Sequence, residues 1–169
     1  HFVSQDKLMP AEQVASPVVL PLDSSGATLA LAGGKGANLS RLVRGRFPVP
    51  GGFIVTTAAY QSYVAANRLA EFLASALHGL DAELAPALDA ASVAIRARFS
   101  RGQMPGDLAE TIRSAYLAQP VDHMSVAVRS SATAEDLPDL SFAGQQDTFL
   151  NVVGPEALLR AVVDCWSRL

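Results

Sequence analysis

The sequence predicts an α/β (α+β) domain in which a small sheet is covered by a helical cap. Three observations carry that prediction. Four short apolar runs bounded by Pro, Gly, Asp or Ser suit buried strands. Segments between and after them repeat their apolar residues at helical spacing. And 169 residues, half of them hydrophobic, suffice for one well-buried core but are short for two.

In order along the chain, residues 1–15 have neither period nor core content and read as a tail, disordered or left over from expression, with the domain over 16–169. "SPVVLPLD" is apolar, ends in Asp-Ser-Ser-Gly, and predicts a strand and a turn. "GGKGANLSRLVRG" keeps its glycines at the entrance, after which Ala37, Leu39, Leu42 and Val43 recur at helical spacing until Gly45. That pattern predicts a glycine-rich loop feeding a helix. "VPGGFIVTTAAY" predicts turn, strand and helix, with Thr56 or Thr57 as the cap. From Leu69 to Phe99 the Ala/Leu-rich chain, broken near His78-Gly79 and Pro86, predicts two or three short cap helices. "MPGDLAETIRSAYLAQ" adds another, with Asp107 and Glu110 near its positive end. "SVAVRSS" and "DTFLNVV" are strands around a polar insert. The last helix aligns Leu158, Leu159, Val162, Val163 and Trp166 on one face. It is still apolar at Leu169, as expected of a piece of a longer polypeptide.

Composition narrows the function. A formal net charge of -3 from 13 basic and 16 acidic residues offers no electrostatic excess for nucleic acid or an anionic membrane. No run of about 18 apolar residues and no signal-peptide order occur. The single cysteine, Cys165, excludes an internal disulfide and a multi-thiolate metal site, which fits the cytoplasm. A bound anion must therefore be held by local geometry.

Three segments have such geometry. In "GGKGANLS" the glycines beside Lys35 let the backbone approach a ligand, and N–H groups at the following helix start favour phosphate. The P-loop pattern fails because Leu29 occupies its first glycine position, and the dinucleotide pattern fails at Leu39. A tight turn with a solvated lysine stays open. Arg129 ends a strand of small apolar residues, where its guanidinium needs an anion; phosphate suits it, and so does an internal carboxylate, Glu135 or Asp136. In "SFAGQQDTF", Gly144 with Ser141, Gln145 and Thr148 could fold over a nucleotide or form an ordinary hairpin loop. His78 and His123 lack metal-ligand spacing. Cys165 suits core or lobe-contact packing, and Glu135, Asp136 and Asp139 suit a solvated loop, so no metal ligand and no catalytic residue is assigned to this piece.

In order and spacing, "LAGGKGANLSRL", "VPGGFIVTTAAY", "VAVRSSATAEDLPDLSFAGQQDTFLNV" and "CWSRL" resemble the start of the ATP-binding domain shared by phosphoenolpyruvate synthase, pyruvate phosphate dikinase and rifampin phosphotransferase. The resemblance spans roughly residues 18–169 and leans slightly toward the rifampin branch. It implies the first lobe of an ATP-grasp-like domain, built on a small mixed sheet. By resemblance Lys35 and Arg129 contact ATP phosphates, while Gly144 and Thr148 line the phosphate side of the nucleotide. The partners it implies are ATP and the rest of the same polypeptide. A second lobe would hold adenine and the Mg2+ ligands, and a swivelling phosphohistidine domain would carry the β-phosphoryl group to pyruvate or to an antibiotic such as rifampin. Alone, the piece is expected to be inactive. The alternatives are a nucleotide-binding regulatory module without chemistry, or a glucan or water dikinase relative with another acceptor.

Overall fold

The computed structural model describes residues 16–79, 85–120, 125–131 and 148–168. Within these, the elements run β1 (Val19–Pro21), α1 (Leu29–Arg44), β2 (Phe53–Val55), α2 (Thr57–Ala66), α3 (Leu69–Leu77), α4 (Ala85–Ser100), α5 (Gly106–Leu117), β3 (Val126–Arg129), β4 (Thr148–Val152) and α6 (Pro155–Trp166). The α/β character is as expected. The expected single mixed sheet is not: among the described residues the strands form two separate antiparallel pairs, β1–β2 and β3–β4.

Packing on both faces explains the first pair. Side chains alternate along a strand, so Val19, Phe53 and Val55 turn toward the main core while Leu20 and Ile54, paired in register, turn toward α1. There they meet Ala27 and Ala32 in a second, smaller cluster. A ribbon covered on both faces reads as one apolar run, which is why "VVL" and "FIV" show no polar alternation. Thr56 precedes α2 in the N-cap position, but its hydroxyl donates to the Pro17 carbonyl at 2.6 Å, tying β2 to the chain entering β1.

The main core lies among the helices. Tyr63 of α2, Leu69 of α3, Phe99 of α4 and Ile112 of α5 are almost completely buried, and α6 contributes Leu158, Leu159, Ala161, Val162 and Trp166. Burying each large apolar side chain stabilises the fold by about 1.5–3 kcal/mol. The Tyr63 hydroxyl donates to the Phe99 carbonyl at 2.6 Å, so its buried oxygen is satisfied. Pro86 sits in the first turn of α4 rather than interrupting the region, and α4 is as long as α1, 16 residues each, instead of short. On α6 the buried face takes in Ala161 and Cys165 and leaves Val163 only half-buried. Cys165 is therefore a core residue.

The second strand pair rests on α6 through Val126, Val128 and Phe149. Arg168, just past α6, lies over the Phe149 ring, 5.3 Å from its centre. A register shift between Val126 and Val128, with Asn151 at φ 56°, marks a bulge that places one extra residue in β4. Among the described residues no helix is long and apolar enough to cross a membrane.

Candidate functional site

The glycine-rich segment is not the loop that its composition suggests. It lies inside α1, which starts at Leu29 with Thr28 as cap, its side-chain oxygen accepting from the Leu31 N–H at 3.3 Å. A single residue, Gly33, leaves helical geometry at φ 64°, ψ 177°, and the helix then resumes through Lys35 to Arg44. The Thr57 hydroxyl donates to the Ala30 carbonyl at 2.8 Å and pins the turn before the break to α2. Glycine's poor helix propensity is outweighed here by packing. A β-carbon on Gly36 would lie 3.0 Å from that of Ala32, so the bare backbone is what lets the two parts of α1 approach this closely across the break.

The break faces the end of β3. A β-carbon on Gly33 would stand 2.7 Å from the carbonyl carbon of Ser131 and closer still to its oxygens. The Gly36 N–H donates to Ser131 Oγ at 3.2 Å, and Lys35 Nζ donates to the Ser130 carbonyl at 3.4 Å. Segments 95 residues apart thus meet along one seam. Ser130 itself is buried.

Arg129 is the last residue of β3 and Thr148 the first of β4, and the register sets them directly opposite each other. Their neighbours Val128 and Phe149 turn toward α6, so by alternation Arg129 and Thr148 share the outer face, where both are exposed. Among the described residues no carboxylate forms an ion pair with Arg129. The competing partners Glu135 and Asp136 lie outside the described residues, as do His123, Asp139, Ser141, Gln145 and Gly144.

Of the four residues singled out from sequence, three are therefore placed. Lys35 reaches the residue that follows Arg129, and Arg129 faces Thr148. A run of chain from the α1 break through 129–131 to the start of β4 carries an ammonium, a guanidinium and a hydroxyl. Such groups suit an anion with several oxygens. Two participants escape the sequence reading: Gly33, as the single point of the break, and Ser131, as its contact. The only sequence signal for Ser131 is a second serine directly after "VRS". His78 ends α3 on an extended, exposed stretch. Among the described residues no group of three or more His, Cys, Asp or Glu side chains could hold a metal. A shallow groove lined by Thr28, Ser40, Arg41 and Arg44 lies, by helical spacing, on the side of α1 away from Lys35.

Comparison with known proteins bears on this arrangement. The family described as "Pyruvate phosphate dikinase, AMP/ATP-binding domain" matches residues 29–169. A probable phosphoenolpyruvate synthase of Archaeoglobus fulgidus is 44% identical over 156 residues, covering 90% of this chain and 21% of that protein. A rifampicin phosphotransferase of Streptomyces sviceus is 46% identical over 142 residues, covering 83% of this chain and 16% of its own. A phosphoenolpyruvate synthase of Aeropyrum pernix is 42% identical over 146 residues, covering 83% and 18%. The chain spans about a fifth of the length of these relatives.

Proposed function

This chain belongs to the pyruvate phosphate dikinase AMP/ATP-binding domain family, and on that premise we propose that it is the first lobe of an ATP-grasp-like domain that holds the phosphates of ATP. Lys35 and Arg129 neutralise charge on the phosphate oxygens. Thr148, beside Arg129, donates a hydroxyl hydrogen bond, and Gly144 shapes the segment that covers the nucleotide. The observation that supports the reading is the 3.4 Å approach of the Lys35 ammonium to the carbonyl of Ser130, the residue that follows Arg129.

The same seam accounts for the chemistry asked of it. A triphosphate changes its charge distribution as a phosphoryl group leaves, and fixed cations aimed at those oxygens stabilise the transition state without reorganising. Lys35 supplies a compact charge, and Arg129 a planar fork that engages two oxygens at once. Mg2+ would supply further charge neutralisation to the ATP phosphates; among the described residues no group of three or more His, Cys, Asp or Glu could hold it. Its ligands are assigned to a second lobe elsewhere in the polypeptide, together with the adenine site. In the complete protein the β-phosphoryl group would pass through a histidine of another domain to pyruvate or to an antibiotic such as rifampin. In-line transfer needs groups from both sides of the nucleotide, so this lobe alone is expected to turn nothing over.

Titration calorimetry of the full-length polypeptide with ATP tests the reading. Weaker ATP binding in both Lys35→Ala and Arg129→Ala supports it. Unchanged affinity in either would remove that residue from the site.

A further inference from the structure

We propose that Ser131 is a positioning residue that fixes the distance between Lys35 and Arg129 while touching no substrate itself. The inference rests on the ATP-binding reading above and deepens it. Its starting point is the cost of breaking a helix. Where α1 departs from helical geometry at Gly33, the first N–H groups of the resumed helix lose the carbonyls one turn back. At an ordinary helix start a local Ser, Thr, Asp or Asn takes over. Here the positions before the resumed turn are glycine and alanine, which have no side-chain acceptor. The acceptor comes instead from the far end of the chain: Ser131 Oγ takes the Gly36 N–H at 3.2 Å.

Three contacts then act at the same place. Ser131 caps the resumed helix, its backbone fills the space that a side chain on Gly33 would occupy, and the preceding carbonyl, that of Ser130, receives Lys35 Nζ. Arg129, the last residue of β3, lies two residues before Ser131 in the chain. A shift of Ser131 relative to α1 therefore shifts the guanidinium relative to the ammonium. Because a charged ligand is bound by both at once, small errors in their separation are felt strongly. Ser131 is thus tied to the residue after Lys35 and follows directly the residue that Lys35 contacts.

A double-mutant cycle on the full-length polypeptide, with ATP as titrant, separates these roles. Ser131→Ala is expected to weaken ATP binding about five- to tenfold, in keeping with loss of a cap and a misplaced lysine. In a Lys35→Ala background, where there is no lysine left to place, the same change is expected to cost less than about twofold. Thermal unfolding of all four proteins supplies the second readout, since a purely structural serine lowers the melting temperature and multiplies its effect equally in both backgrounds. Equal fold-losses in the two backgrounds, or no loss in Ser131→Ala while Lys35→Ala is impaired, would overturn the positioning role and leave the ATP site standing. Wild-type affinity in Lys35→Ala would instead remove Lys35 from the ATP site, and this inference with it.

Discussion

Arg129 and Thr148 face each other across the β3–β4 pair, one closing its strand and the other opening its own. Directly opposed residues on one face keep their β-carbons about 5 Å apart, so a guanidinium and a hydroxyl are offered side by side. Thr148→Val keeps the shape and removes the donor. A hydrogen bond to a charged group contributes about 1.5–3 kcal/mol, so ATP affinity is expected to fall at least about tenfold. Because Thr148 is exposed, the melting temperature should hardly move. Calorimetry beside a thermal melt checks both halves.

Activity should depend on both cations. In the full-length protein, Lys35→Ala or Arg129→Ala is expected to lower ATP-dependent turnover by about 10² or more, the scale of one lost preorganised contact. Arg129→Lys should restore little of it, because an ammonium cannot reproduce a bidentate fork. Steady-state rates for the three variants decide the point.

Gly33 is exposed to two separate penalties, and a second glycine tells them apart. Gly33→Ala would combine a left-handed backbone (φ 64°) with a collision against Ser131, whereas a β-carbon on Gly79 (φ 70°) would meet nothing within 4 Å. Gly79→Ala is expected to cost about 1–2 kcal/mol from backbone strain alone. Gly33→Ala should cost more and should also weaken ATP binding. Equal losses from the two substitutions in denaturant unfolding would show that the contact with Ser131 carries no energy.

The Tyr63 phenol gives the fold an alkaline limit. Burial pushes its pKa up, Arg98 opposes this and Asp164 adds to the rise. Protonated Tyr63 is thus favoured in the folded state. Its contribution is complete below the unfolded value near 10 and is lost as pH rises through the higher folded value. Tyr63→Phe should flatten that alkaline decline. At neutral pH it should cost about 1–3 kcal/mol, since the Phe99 carbonyl loses its 2.6 Å donor. Unfolding free energy measured from about pH 7 upward through the ordinary tyrosine value near 10 checks both effects.

Much of this is legible in sequence because it depends on local pattern. The apolar face of α6 and the strands around residues 19, 54, 127 and 150 follow from period and burial. Arg129 stands out because a cation ends the apolar run "VAV". What cannot be read depends on distant partners. The GGKG segment has the composition of a loop because glycine disfavours helix. Ser131, far along the chain, is what packs against its one broken residue and accepts from the resumed helix. The pairing of Arg129 with Thr148 is equally hidden: the insert between them is far longer than the two-residue turns that fix register in tight hairpins. Among the described residues two antiparallel pairs replace the expected mixed sheet because each ribbon finds its own helical support, one between α1 and the core and the other on α6.

Trp166 is the sole tryptophan of this chain, and its ring centre lies 5.3 Å from that of Tyr63 and 6.0 Å from that of Tyr60. A fluorophore so enclosed should emit at short wavelength and shift toward the red only when the helical layer opens to water. The same closeness should let excited tyrosines pass energy to it. Emission from this indole is thus a built-in gauge of whether the interior stays closed.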